Sequence, residues 1–199
     1  KMLTEGATFI DVGAYSSRPG AIDISEDKEL KRIVPVIELL LKNFPEIILS
    51  IDTFRSRVAM ETIHTGAAII NDISGGKMDN NMFATVASLK VPYVLMHMLG
   101  TPQNMQQNPT YDDVIKEIIF FFAEQIAKLH QLSVNDVIID IGFGFGKTID
   151  HNFEILKNLE LFKNLNTPIL AGISRKSMLY KTLGISAQEA LNATTSANT

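Results

Sequence analysis

The chain has 199 residues, of which 46% are hydrophobic, with a net charge of -4 and no cysteine. That length and apolar content suffice for one sizeable core and exclude a disordered chain, and the acidic balance removes the basic footprint that general nucleic-acid binding requires. Without cysteine there is neither a disulfide framework nor a thiolate metal site. No apolar run approaches the roughly 20 residues that span a bilayer, and the start lacks a signal-peptide pattern, so a cytoplasmic protein is expected.

The opening residues, Lys1 to Gly6, read as the end of a helix. Thr8-Phe9-Ile10-Asp11 predicts a strand and is followed by a long loop through Tyr15-Ser16-Ser17-Arg18-Pro19-Gly20. Leu30, Ile33, Val34, Ile37, Leu41 and Phe44 recur at the helical period, with Glu26 and Asp27 at the positive end of the dipole. Pro35 inside that stripe predicts a kink or a shift of register. Ile47 to Asp52 is the second strand, and the helix after it carries Val58, Ala59 and Ile63 inward and stops at Gly66, where a left-handed cap is easiest. Ala68 to Asp72 and Tyr93 to His97 are further strands, separated by a short helix near Asn81 to Lys90.

Asp112 or Asp113 opens the longest predicted helix, which buries Ile115, Ile118, Ile119, Phe122, Ile126 and Leu129 and leaves Phe120 and Phe121 outside the stripe. Those two rings need neighbouring elements or a second subunit to cover them. Val137 to Asp140 and Ile169 to Gly172 are the last strands. Between them Asp150 is the expected cap of a helix through Phe153, Leu156, Leu159 and Phe162. Ser186 and Glu189 have capping-box spacing ahead of a final helix.

Each strand run is apolar on both faces and stops at a carboxylate, amide or basic residue. Strands of that kind belong to parallel sheets covered by helices, whose ligands collect where the strand carboxyl ends converge. A doubly wound sheet concentrates its ligand at one switch point. Here nearly every strand ends in a candidate group, which favours an α/β TIM barrel formed by residues 1–199 as a single domain. Six strands are readable, so the barrel is expected to be incomplete at both ends, with its first and last strands outside the chain.

The strand ends differ in what they offer. Arg18 presents a planar donor fork for an anion, or is a surface-turn arginine. Asp52 can accept hydrogen bonds from ring N–H or amino groups, or cap the next helix. Asn71 combines donor and acceptor. The run from Asp140 to Thr148 is glycine-rich, but Ile141 stands where a Walker loop requires glycine, and the dinucleotide spacing fails as well. What remains is a turn that lets Phe143 and Phe145 approach a ligand. Ser174-Arg175-Lys176-Ser177 sets two cations and two hydroxyls after a strand. His97 is expected to be a hydrogen-bonded core residue rather than a metal ligand, since no partner has ligand spacing.

In order and spacing, Tyr15 to Gly20, Ser50-Ile51-Asp52-Thr53, Ile70-Asn71-Asp72-Ile73, Leu95-Met96-His97-Met98, Asp140 to Lys147 and Ser174 to Ser177 resemble dihydropteroate synthases over essentially the whole chain. That resemblance implies a pterin-binding TIM barrel that condenses 6-hydroxymethyl-7,8-dihydropterin pyrophosphate with 4-aminobenzoate to 7,8-dihydropteroate and pyrophosphate in folate biosynthesis. It implies a pterin slot with Asp52, Asn71, Asp140 and Lys176 on the ring edge and Ile73, Met96 and Gly172 around it. Lys176, Asp140 and Asp52 would be the catalytic groups. Ser17, Arg18, Pro19, Phe145, Lys176 and Ser177 would form the aminobenzoate pocket.

The family is a sulfonamide target, and a homodimer is the expected assembly; neither nucleic acid nor membrane is an expected partner. The family often has threonine where Ser17 stands and proline where Ile141 stands. Its first-strand asparagine for Mg2+ and pyrophosphate, and its last-strand arginine and histidine, have no counterpart in the chain, so the resemblance implies magnesium but assigns no metal ligand here. The alternatives are a pterin-binding methyltransferase, against which Ser17-Arg18-Pro19-Gly20 and Ser174-Arg175-Lys176-Ser177 argue, and a non-catalytic pterin-binding remnant.

Overall fold

The computed structural model describes residues 1–18 and 21–199, so the expectation for Pro19 lies outside the described residues. One parallel sheet contains β1 (Phe9–Gly13), β2 (Ile48–Asp52), β3 (Ile69–Asp72), β4 (Tyr93–Met96), β5 (Val137–Asp140) and β6 (Ile169–Leu170). The spatial order of the strands is their chain order. When parallel strands always advance to the same side through right-handed crossovers, every crossover helix must fall on one face of the sheet. The order never reverses, which removes the doubly wound alternative and leaves an arc of a barrel, as expected from the strand ends. Among the described residues β1 pairs only with β2 and β6 only with β5, so the arc stays open between them.

The helices are α1 (Glu26–Asn43), α2 (Ser56–Thr65), α3 (Met82–Leu89), α4 (Val114–Gln131), α5 (Ile149–Lys157), α6 (Ser177–Thr182) and α7 (Leu191–Ala197). They cover the outer face of the sheet, where Leu49, Ile51, Ile70, Tyr93, Leu95, Val137 and Ile139 are buried. Ile33 and Ile37 of α1, Val58 and Ala59 of α2, and Ile118, Phe122 and Leu129 of α4 close over them in one continuous core. Each fully buried Ile, Leu or Phe side chain contributes about 1.5–3 kcal/mol.

Several local expectations change in the structure. Phe44 is the residue that follows α1 and is half exposed, while Glu29 is buried in the same stripe. α1 runs through Pro35, whose side chain faces solvent. Phe121 turns inward beside Phe122, because the buried face of α4 is wide enough to take Ile118, Phe121, Phe122 and Gln125 together; Phe120 alone stays outside. Of the two candidates expected to open α4, Asp113 is the cap. α5 is capped by Thr148 rather than Asp150: the Thr148 hydroxyl accepts from the His151 N–H while the His151 ring accepts from the Thr148 N–H. At Ser186 the Glu189 carboxylate accepts from both the N–H and the hydroxyl, yet the helix itself begins only at Leu191.

Candidate active site

Side chains alternate along each strand, so the residues not facing the helices point into the arc. Asp11 and Gly13 of β1, Ser50 and Asp52 of β2, Asn71 of β3, Val94 and Met96 of β4, and Ile138 and Asp140 of β5 share this inner face. The register pairs Gly13 with Asp52 and Asp52 with Asn71, and one level nearer the strand ends it pairs Met96 with Asp140. The backbone of Gly13 approaches Asp52 closely, so that an added Cβ would stand 3.1 Å from that of Asp52. The cavity inside the arc has a volume of about 590 Å³ and opens between the edge strands, and its polar lining is Asp11, Ser50, Asn71 and Asp140. Phe9 and Leu170, the inner residues of the two edge strands, are 52% and 39% exposed, because the arc is open beside them.

The charges in this space perturb one another. Burial first, and then the nearby carboxylates of Asp11, Asp72 and Glu29, push Asp52 up to about 7. Asp140 is raised by burial, against the opposing pull of the Gly142 N–H it accepts from at 2.8 Å and of the Lys176 and Lys147 ammonium groups. Lys176 is lowered by burial and partly restored by Asp140; its ammonium sits 4.7 Å from the centre of the Phe145 ring. Asp11 is raised by burial and steadied by hydrogen bonds from Ser50 and Asn71. Asp52, Asn71 and Asp140 are thus each coupled to Asp11, and Lys176 is coupled to Asp140.

An apolar wall adjoins the polar edge. Phe54, Ile73, Met96, Met98 and Met105 form a second buried cluster, against which Tyr15 and Phe145 pack. Ile73, Met96 and Phe145, expected around two different ligands, thus pack in one cluster. Gly172, beyond β6, has no atom within 4 Å of where a Cβ would lie, so its backbone borders open space. Ser177 begins α6 directly after Lys176. Ser17 and Arg18 stand in the β1–α1 loop, and neither side chain hydrogen-bonds another candidate site residue among those described. That loop is anchored by Arg55, which donates to the Ile24 carbonyl at 2.7 Å and to the buried Glu29 carboxylate at 2.7 Å, and lies 5.2 Å from the Tyr15 and Phe54 rings.

Sequence reasoning missed Asp11, Asp72 and Lys147 as individual contributors. The signal for the first two was available, since both close strand runs of the same plan as the others. Asp72 is fully buried and accepts from the Tyr93 hydroxyl at 2.6 Å, the Ser74 hydroxyl at 2.7 Å and two backbone N–H groups. The Lys147 ammonium contacts His97 Nδ1 at 3.0 Å and donates to the carbonyls of Gly142 at 3.0 Å, Phe145 at 3.1 Å and His97 at 3.2 Å. It pins the 140–147 turn, which carries Asp140 and Phe145, to the end of β4. His97 is the buried, hydrogen-bonded core residue expected of it. No cluster of three or more metal-ligating side chains exists among the described residues, and no described helix is long and apolar enough to cross a membrane.

Comparison with known proteins gives one answer. The family model for pterin binding enzymes matches residues 1–199. Dihydropteroate synthase of Escherichia coli is 42% identical over 193 residues, covering 96% of this chain and 68% of that protein. The Haemophilus influenzae enzyme is 40% identical over 181 residues, covering 90% and 65%. Among solved structures, Yersinia pestis dihydropteroate synthase in complex with a sulfonamide drug superposes with a TM-score of 0.92 at 39% identity, over 98% of this chain and 71% of that one. The Thermus thermophilus enzyme in complex with 4-aminobenzoate gives 0.92 at 34%, over 99% and 75%. With an arc of parallel strands that carries polar side chains on its inner face, and with matches running its full length, the chain belongs to the pterin-binding enzyme family, among the dihydropteroate synthases.

Proposed function

We propose that the inner-face cluster performs dihydropteroate synthesis, with Asp52, Asn71, Asp140 and Lys176 on the edge of the dihydropterin ring and Ile73, Met96 and Gly172 around it. What supports this reading is that Asp52, Asn71 and Asp140 share the inner face of the sheet, that Lys176 is coupled to Asp140, and that an apolar cluster containing Met96 lies beside them. A flat heterocycle with a hydrogen-bonding edge needs that combination. Ser17, Arg18, Pro19, Phe145, Lys176 and Ser177 are assigned to 4-aminobenzoate, the two cations facing its carboxylate.

In the reaction the bond between the pterin methylene carbon and the pyrophosphate oxygen breaks, and pyrophosphate leaves with the electron pair. The arylamine nitrogen donates its lone pair to the methylene carbon, forming the C–N bond, and loses a proton to solvent. The methylene bears positive character along the way, so even a weakly basic arylamine attacks without a strong general base. Positioning then supplies much of the rate; well-oriented reactants gain about 7–11 kcal/mol. Asp140 and Asp52 hold the ring, and the carboxylates stabilise positive charge spreading into it. Magnesium would belong to the pyrophosphate end. Because the described residues present no ligand set for it, no step here is routed through a metal. The expected assembly is a homodimer and the expected compartment the cytoplasm.

Replacing Lys176 by Ala should weaken dihydropterin binding and lower turnover together. Calorimetry showing unchanged binding would remove Lys176 from the ring edge. Binding of methyltetrahydrofolate with no aminobenzoate-dependent product would instead support the methyltransferase reading.

A further inference from the structure

Asp11 belongs to none of the roles assigned above, yet it lines the cavity from β1. Its Oδ2 accepts from the Asn71 side-chain nitrogen at 3.2 Å, across 60 residues of sequence. The other end of that amide, Asn71 Oδ1, is buried and has no hydrogen-bond partner. The Asn71 backbone is already committed to the sheet, its carbonyl accepting from the Thr53 N–H at 3.0 Å. A buried amide oxygen without a partner is costly, and native proteins rarely leave one so.

We infer that Asp11 is a positioning residue that fixes the polarity of Asn71, holding the amide NH2 against β1 and leaving the carbonyl oxygen free to accept from a donor on the pterin edge. This inference rests on the proposed pterin reading. An amide side chain can turn over, exchanging its donor and acceptor ends at little steric cost. A carboxylate cannot tolerate that exchange, because it only accepts; the turned amide would set oxygen against oxygen and leave two N–H groups facing the ligand. Asp11 therefore selects one of two otherwise similar orientations. β3 then recognises a ring N–H or an amino group and rejects a ring edge that offers only lone pairs there.

The test is binding of 6-hydroxymethyl-7,8-dihydropterin by calorimetry, combined with steady-state kinetics. Asp11→Asn keeps the shape but supplies a donor as well as an acceptor, so the amide is no longer held. Dihydropterin affinity should fall at least tenfold, while the KM for 4-aminobenzoate at saturating pterin stays within twofold. The exchanged pair, Asp11→Asn with Asn71→Asp, preserves volume and total charge. Its amide donates to the carboxylate from the other side and leaves a carboxylate oxygen to accept, so it should recover most of the lost affinity. A purely structural Asp11 would instead raise both KM values, and exchange would give no rescue. Wild-type binding together with unimpaired Asp11→Asn, or an exchanged pair no better than the single variants, overturns the inference alone. A wild-type chain that binds no dihydropterin overturns the pterin reading and this inference with it.

Discussion

The carboxyl of Asp52 is held at about 7 by its burial and by the carboxylates around it, and this should make pterin binding pH-dependent near neutrality. A ring N–H or amino donor needs the ionised acceptor. Below about pH 7 each pH unit should therefore weaken binding about tenfold, or about 1.4 kcal/mol. Binding at about pH 6 must also expel close to one proton per ligand. Calorimetry with 6-hydroxymethyl-7,8-dihydropterin, which carries no titrating phosphate, in two buffers of different ionisation heat measures both quantities. Asp52→Asn keeps the shape and loses the charge-assisted bond, costing about 1.5–3 kcal/mol, and its residual binding should be independent of pH across this range.

The same group acts on the empty protein with the opposite sign. Its native pKa lies above the unfolded 3.8. Its contribution to stability is thus fully present below about pH 4 and is lost as pH rises towards about 7, by an upper bound of about 4 kcal/mol. Ligand-free Asp52→Asn should accordingly melt no lower than wild type at neutral pH. Flat affinity with no buffer-dependent heat, alongside a destabilised Asp52→Asn, would refute the electrostatic account of this site.

Lys147 is lowered to about 7 by burial, so between about pH 7 and 10.5 the unfolded chain holds the extra proton and this lysine makes stability rise with pH. Lys147→Met removes that rise and orphans its acceptors, at about 2–4 kcal/mol; thermal melting should show a gap to wild type that widens above pH 7, and a constant gap would contradict the assignment. Tyr93→Phe removes the 2.6 Å bond to buried Asp72 and should cost about 1–3 kcal/mol, lowering the melting temperature by roughly 2–4 °C per kcal/mol for a chain of this size. A melting temperature equal to wild type would mean that Asp72 is satisfied without Tyr93.

Legibility from sequence followed the range of the interactions. The strands, the left-handed Gly66 cap, the Asp113 cap and the placement of polar groups at strand ends depend on residues within a few positions of one another, and these were readable. The Thr148 cap was misassigned to Asp150 although it is local, because two plausible capping residues lay within one turn. Phe121 was misplaced because the width of a buried face depends on what packs against it. Here that is His97, whose ring lies 5.0 Å from it, and Lys77, whose ammonium lies 4.4 Å above it.

The pattern of apolar runs ending in polar residues was enough to determine a parallel α/β sheet with its chemistry at the carboxyl ends, because side-chain alternation and strand polarity are properties of the chain itself. Which of those polar residues became neighbours was decided only on folding. Asp11 meets Asn71 from 60 residues away and Lys147 meets His97 from 50, and the loss of water on burial moves Asp52 and Lys147 towards neutrality. Burial and pairing are properties of the assembled sheet, so no stretch of sequence carries them alone.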